Sequence, residues 1–234
     1  MTLIADCGTS WTKIMEIESR KVKVLPTREI IGNRSLTFEA ATGHLGRSRC
    51  KVYENELIAL SLGGLMLVEE EDFVIVDVGA RDTKLCQFRS RRPVRLDWNQ
   101  ACGAATGFTL ELLGKYYEID YSILPATRKR ANVTCGVFGL ERVFDSIIKG
   151  SSIEEAVASF VHGVAYNVYT FAGKPDRIYL SGGLCLNRCF VESLRFYCDV
   201  VELGRDVLLW GLVESLRERG YDTDQDQGRD RADA

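Results

Sequence analysis

Two short segments of the sequence combine residue types and spacing that suit the binding of phosphate groups. In residues 3–13 and again in residues 74–84, an apolar run leads into Asp-x-Gly, a small polar turn and then Thr-Lys. Glycine in such a turn lets backbone N–H groups approach phosphate oxygens, and hydroxyl side chains add neutral donors. The repeated pattern predicts two related halves, each placing a β-hairpin phosphate loop at a nucleotide cleft.

Carboxylates at the ends of the predicted strands are suited to Mg²⁺, which keeps several waters and is held by one or two acidic side chains. The predicted catalytic carboxylates are Asp6, Asp77 and Asp82. The predicted phosphate contacts are Gly8, Ser10, Thr12, Lys13, Gly79 and Thr83. The pattern leaves open whether Lys13 and Lys84 face the phosphates or point away from them.

A third segment, Ser181-Gly182-Gly183, follows a predicted strand and precedes a predicted helix. A glycine pair at this point would let an adenosine rest against bare backbone. The predicted adenosine contacts are Gly182, Gly183 and Asn187. The alternative is an ordinary turn from a strand into a helix, which also uses glycine.

Strands alternate with helices, which indicates an α/β protein. Predicted strands cover residues 3–6, 13–17, 22–25, 73–78, 84–88, 94–96 and 177–180, and predicted helices cover 55–68, 106–117, 137–149, 153–172, 187–196 and 207–218. The predicted domains are residues 1–72 and 73–203, followed by a C-terminal helix in 204–220 that packs back on the first domain. Residues 221–234 contain five Asp and two Arg and are predicted to be a disordered acidic tail.

Composition excludes several classes of protein. The chain has 234 residues, of which 46% are hydrophobic and 27% charged, and a net charge of −3. No apolar run approaches the ~20 residues of a membrane helix. We therefore expect a cytoplasmic protein without a membrane or nucleic-acid partner. The basic clusters in residues 89–95 and 128–130 are interpreted as solvated loops or protein contacts.

The sequence has eight cysteines and only two histidines. No Cys-x-x-Cys pair occurs, and a cytoplasmic protein is not expected to carry a disulfide framework. Taken alone, this pattern favours buried, unreactive thiols.

The three-part arrangement resembles the actin, sugar-kinase and Hsp70 ATPase superfamily, whose fold is ribonuclease H-like, with two βββαβα-type domains around a nucleotide cleft. Within it, four segments resemble the family of 2-hydroxyacyl-CoA dehydratase activators and benzoyl-CoA reductase ATPase subunits. Residues 41–47 resemble its Thr-Gly-Tyr-Gly-Arg, and residues 77–84 its Asp-Ile-Gly-Gly-Gln-Asp-Ser-Lys. Residues 99–107 resemble Asn-Asp-Lys-Cys-Ala-Ala-Gly-Thr-Gly, and residues 135–138 resemble Cys-Thr-Val-Phe.

The resemblance implies an ATP-dependent homodimer with one [4Fe-4S] cluster at the subunit interface, each subunit supplying two cysteines. The implied ligands are Cys102 and Cys135, each shortly before a predicted helix whose N-terminus favours an anionic group. The implied cofactors are ATP/ADP, Mg²⁺ and the cluster. The implied work is low-potential, single-electron transfer under anaerobic conditions, from a ferredoxin or flavodoxin to an acceptor enzyme such as a dehydratase or reductase.

The sequence departs from the family pattern at several positions. Trp11 stands where the family has a small hydroxyl residue, Arg81 replaces a glutamine, and Ala105 replaces a glycine. Leu140 and Arg142 replace acidic groups. Two alternatives therefore remain: a small-molecule kinase of the same superfold, with Asp82 as its base, and a nucleotide-binding assembly component without turnover.

Overall fold

A computed structural model of the chain describes residues 2–33, 35–99, 106–134, 136–221 and 223. The chain divides into two compact units. The first combines Met1–Glu69 with the chain from Asp206 onward, and the second is the continuous segment Glu70–Arg205. The acidic tail lies almost entirely outside the described residues, and so do Cys102 and Cys135.

Ten strands and seven helices lie within the described residues. The strands are β1 (Leu3–Cys7), β2 (Trp11–Glu16), β3 (Val22–Pro26), β4 (Phe38–Thr42), β5 (Cys50–Tyr53), β6 (Phe73–Val78), β7 (Thr83–Arg89), β8 (Arg92–Asn99), β9 (Arg177–Ser181) and β10 (Asp199–Gly204). The helices are α1 (Thr27–Gly32), α2 (Glu56–Leu67), α3 (Thr106–Tyr117), α4 (Gly136–Ile148), α5 (Ile153–Phe171), α6 (Arg188–Leu194) and α7 (Val207–Glu218).

Both units contain a five-stranded sheet with one strand order. In the first unit the order is β3-β2-β1-β4-β5, and in the second it is β8-β7-β6-β9-β10. In each, the first strand of the hairpin is central, antiparallel to its hairpin partner and parallel to the later strand on its other side. The two related α/β halves predicted from the repeated motif are therefore confirmed.

Helices α2 and α7 pack against each other in the first unit. Both are rich in apolar residues, and Asn55 caps the start of α2 by accepting a hydrogen bond from the Leu57 N–H at 2.8 Å. Glycines allow the close approach of the two helices. A Cβ on Gly63 would lie 2.1 Å from the Val207 carbonyl oxygen, and one on Gly211 would lie 1.8 Å from that of Ala59.

Helix α5 forms the centre of the second unit's core. Its apolar side chains pack with those of the sheet, including Val76 and Leu180, in one buried cluster. The helix begins as the sequence predicts, because the Ser152 hydroxyl accepts a hydrogen bond from the Glu155 N–H at 3.1 Å. This core fixes β6, which leads into the second candidate phosphate segment, and β9, which leads into the candidate adenosine segment.

Four elements were not predicted from the sequence: α1, β4, β5 and β10. Each has six residues or fewer, so its hydrophobic pattern is too short to indicate a period. The predicted strand over residues 94–96 extends over residues 92–99, and the predicted helix over 187–196 covers only 188–194. Among the described helices, none has both the length and the apolar character required to cross a bilayer.

Candidate functional site

The first hairpin turn, residues 8–10, is held by the start of α1. The Thr27 hydroxyl donates to the Gly8 carbonyl at 2.7 Å, and the Thr27 N–H donates to the Ser10 carbonyl at 2.9 Å. A Cβ on Gly8 would lie 2.7 Å from the Trp11 carbonyl oxygen, so this tight turn excludes a side chain there. Trp11 itself is 46% exposed.

The polar side chains that follow this turn are buried and paired. Lys13 lies directly opposite Asp6 in the antiparallel ladder, and its Nζ donates to Asp6 Oδ2 at 2.6 Å. Only 11% of the Lys13 side chain and 4% of the Asp6 side chain are exposed. Thr12 is fully buried, and its hydroxyl shares a 3.0 Å hydrogen bond with that of Thr27. Lys13 therefore neutralises the carboxylate of its own hairpin.

The second hairpin repeats the arrangement with one difference. Lys84 lies opposite Asp77, but its Nζ donates at 2.7 Å to Asp82, a carboxylate of the turn. Asp77 instead accepts a hydrogen bond from the Ser181 hydroxyl on neighbouring β9 at 2.8 Å. The Gly79 N–H closes the turn onto the Asp82 carbonyl at 3.0 Å. Both carboxylates are buried and held in fixed orientations.

The structure brings the third segment against this second hairpin. Gly182 has φ +96°, and a Cβ on it would lie 2.6 Å from the Val78 carbonyl oxygen at the end of β6. A Cβ on Gly183 meets no atom within 4 Å, so the backbone there is open. Asn187 is buried and caps α6, because its Oδ1 accepts from the Phe190 N–H at 2.9 Å. Asp77, Ser181 and the glycine pair thus form one polar cluster at the ends of β6 and β9, in which Gly183 is exposed.

Replacing Gly182 with alanine should destabilise the protein by about 2 kcal/mol, because both the left-handed backbone and the contact with Val78 oppose a side chain. Urea unfolding followed by circular dichroism measures this. Gly183→Ala is the matched control, and we expect a change below about 0.5 kcal/mol there. Equal losses in the two variants would contradict the close approach at Gly182.

The start of α3 also packs on the turn of the second hairpin, residues 79–82. This contact was not predicted from the sequence. A Cβ on Gly107 would lie 2.4 Å from the Gly79 carbonyl oxygen, and the Phe108 N–H donates to the Ala80 carbonyl at 2.8 Å. The only signal in the sequence was the Thr-Gly pair that ends the segment around Cys102. The turn of the second hairpin and the start of α3 are therefore in direct backbone contact.

Six cysteines lie within the described residues, and all are free thiols. Burial raises the pKa of Cys7 and Cys86 to about 12, and that of Cys189 and Cys198 to about 11. These values favour the neutral thiol, which is neither a strong nucleophile nor a ready metal ligand. Across the described part of the chain, no three His, Cys, Asp or Glu side chains are grouped so as to hold a metal ion.

No protein-family model matches the chain. It is 26% identical over 188 residues to the 2-hydroxyisocaproyl-CoA dehydratase activator of Clostridioides difficile, over 75% of this chain and 70% of that protein. It is 24% identical over 163 residues to the (R)-2-hydroxyglutaryl-CoA dehydratase activating ATPase of Acidaminococcus fermentans, over 65% of this chain and 63% of that protein. The solved activator of the 2-hydroxyisocaproyl-CoA dehydratase from Clostridium difficile, with bound ADPNP, superposes with a TM-score of 0.72 at 19% identity, covering 93% of this chain and 97% of that one.

The fold is therefore that of the actin-like ATPases, as the motifs predicted. The sequence is similar to two dehydratase activators, and the resemblance inferred from the four sequence segments is confirmed.

Proposed function

We propose that this protein is an ATP-dependent activator that couples the binding and hydrolysis of ATP to low-potential, single-electron transfer to a partner enzyme. One observation carries the proposal. Each unit places an Asp-x-Gly hairpin at the equivalent position of its own five-stranded sheet, in a chain similar to dehydratase-activating ATPases.

The proposed nucleotide contacts are the residues predicted from the sequence. The hairpin turns, with Gly8, Ser10, Thr12, Lys13, Gly79 and Thr83, are proposed to contact the phosphates. The open backbone at Gly183, next to Gly182 and Asn187, is proposed to contact adenosine. Asp77 and Asp82 are already oriented by Ser181 and Lys84, so neither needs to reorganise when charge develops at the phosphate.

The buried strand-end carboxylates Asp6, Asp77 and Asp82 fit Mg²⁺, because this ion is held by one or two carboxylates and substrate phosphates and does not need an all-protein cage. When bound, Mg²⁺ would neutralise charge on the transferred phosphoryl group. The proposed catalytic work of this chain is to fix these carboxylates and thereby orient the attacking water.

Cys102 and Cys135 are proposed to ligate a [4Fe-4S] cluster together with the same two residues of a second copy. Helices α3 and α4 begin four residues and one residue after these cysteines, and helix N-termini favour an anionic group. The contact between Gly107 and the second turn supports coupling, since nucleotide binding at the turn then acts on α3. The electron donor is proposed to be a ferredoxin or flavodoxin, and the acceptor a dehydratase- or reductase-like enzyme.

Anaerobic purification tests this proposal. We expect brown protein with about four iron and four sulfide per dimer, as a [4Fe-4S] centre requires, together with ATP hydrolysis. Cys102→Ala should lose the iron and keep nucleotide binding. Cys189→Ala, which removes a buried core thiol, is the matched control and should keep the iron.

Reconstituted wild-type protein that stays colourless would contradict the electron-transfer role. ADP release that depends on an added small molecule, without iron, would instead identify a kinase. Tight ATP binding with neither turnover nor iron would identify an assembly component.

A further inference from the structure

Thr42 is a fully buried residue whose hydroxyl lacks a hydrogen-bond partner. It ends β4, and its Oγ1 contacts neither solvent nor any donor or acceptor in the part of the chain that the structure describes. Leaving a buried hydroxyl unpaired is unfavourable for folding. A residue such as valine would fill the same space without this cost, so the hydroxyl needs another explanation.

The second unit contains the counterpart of Thr42. Thr42 is the parallel-strand neighbour of Asp6, and Ser181 is the parallel-strand neighbour of Asp77. Each is followed by a glycine with positive φ, +81° at Gly43 and +96° at Gly182. A Cβ on either glycine would collide with the backbone carbonyl that follows the aspartate, at 2.2 Å from Cys7 O and 2.6 Å from Val78 O.

The two hydroxyls nevertheless have different partners. Ser181 donates to Asp77 at 2.8 Å. Side chains of directly paired residues in a parallel sheet point to the same face, so Thr42 stands beside Asp6 in the same way. Thr42 makes no such bond, although its carboxylate neighbour is as deeply buried as Asp77.

The difference follows from the residue immediately before the Thr-Lys pair. In the second hairpin this residue is Asp82, which takes up the ammonium of Lys84 and leaves Asp77 to accept from Ser181. In the first hairpin it is Trp11, so Lys13 pairs with Asp6 at 2.6 Å. The Thr42 hydroxyl then stands beside a carboxylate that is already occupied by a cation of the protein.

We propose that Thr42 is a positioning residue of the magnesium–nucleotide site, where its hydroxyl bonds to the ligand shell beside Asp6; this rests on the proposed function. Mg²⁺ keeps several of its waters in protein sites, and these waters need acceptors and fixed neighbours. The hydroxyl that is unpaired without ligand gains its partner when magnesium and nucleotide bind. The residue therefore contributes to ligand affinity and not to the stability of the free protein.

Calorimetry with ADP, in magnesium and separately in EDTA, tests this on wild type, Thr42→Val and Thr42→Ser. We expect Thr42→Val to weaken ADP binding in magnesium about tenfold, the loss of one hydrogen bond. Binding in EDTA should be unchanged, and the melting temperature of the free protein should be unchanged or higher. Thr42→Ser keeps the hydroxyl and should restore magnesium-dependent affinity to within about threefold of wild type.

If Thr42→Val binds ADP in magnesium as tightly as wild type does, the proposed role of Thr42 is wrong. The nucleotide site itself would still be supported, because the wild-type protein binds ADP. A lower melting temperature with equal losses of affinity in magnesium and EDTA would also overturn it, since the hydroxyl would then be structural. Wild-type protein that binds ADP under neither condition would overturn both this inference and the proposed function.

Discussion

Replacement of Gly211 with alanine is expected to destabilise the first unit by about 3 kcal/mol or more, the upper end of the cost of overpacking a protein core. The new Cβ would lie 1.8 Å from the Ala59 carbonyl oxygen on α2, closer than any non-bonded contact allows. Neither helix can yield by a rotamer change because the obstacle is backbone. Alanine's better helix propensity, about 1 kcal/mol, is too small to compensate.

Urea unfolding monitored by circular dichroism measures the effect, with Gly32→Ala as the matched control. A Cβ on Gly32 meets no atom within 4 Å, so this variant should be neutral or slightly stabilising. If Gly211→Ala unfolds at the wild-type midpoint, the close packing of α2 on α7 is wrong. Because the chain has two compact units, the fit allows for two transitions.

Replacement of Lys84 with methionine is expected to cost about 3–5 kcal/mol, the penalty for leaving one member of a buried ion pair without its partner. Only 5% of the Lys84 side chain and 10% of the Asp82 side chain are exposed, so water cannot solvate the remaining carboxylate. Lys84 also lies over the Trp98 ring, with its Nζ 5.4 Å from the ring centroid. Denaturant unfolding of the variant measures the loss.

The double variant Asp82→Asn with Lys84→Met separates stability from function. Removing both charges should recover most of the lost stability, since no uncompensated charge remains. ATP turnover should stay at least about 100-fold below wild type, because the proposed catalytic carboxylate is gone. A double variant with restored turnover would remove Asp82 from the catalytic role.

As a surface-pair control, Lys51→Met should change stability by less than about 1 kcal/mol, because Lys51 pairs with Glu39 while itself exposed.

The elements that could be predicted from sequence are those with a long or regular pattern. Strand β6 and helices α3 and α7 have the predicted bounds, because a β-branched run and a clear helical period each define their element. Strand β4 could not be predicted, because Phe38–Thr42 contains two alanines and a glutamate and lacks alternation. Its pairing with β1 on one side and β5 on the other makes it a strand.

The candidate site was predictable in its residue types but not in its pairings. The repeated Asp-x-Gly and Thr-Lys pattern located both hairpins, since it is local in sequence. Whether Lys13 pairs with Asp6, or Lys84 with Asp82, depends on side-chain positions across two strands and a turn. The bond between Ser181 and Asp77 joins residues more than a hundred positions apart, and no pattern within either segment indicates it.

The first unit is discontinuous along the chain, and this affects the order in which the protein can fold during synthesis. Helix α2 needs α7 as its packing partner, and α7 is translated only after the whole of the second unit. The second unit is one continuous segment, so it can reach its native state on the ribosome. At that stage the apolar face of α2 still lacks its packing partner α7. A stalled or truncated nascent chain would therefore expose the apolar face of α2. We expect chaperones that recognise apolar helices to bind this face until translation passes residue 218.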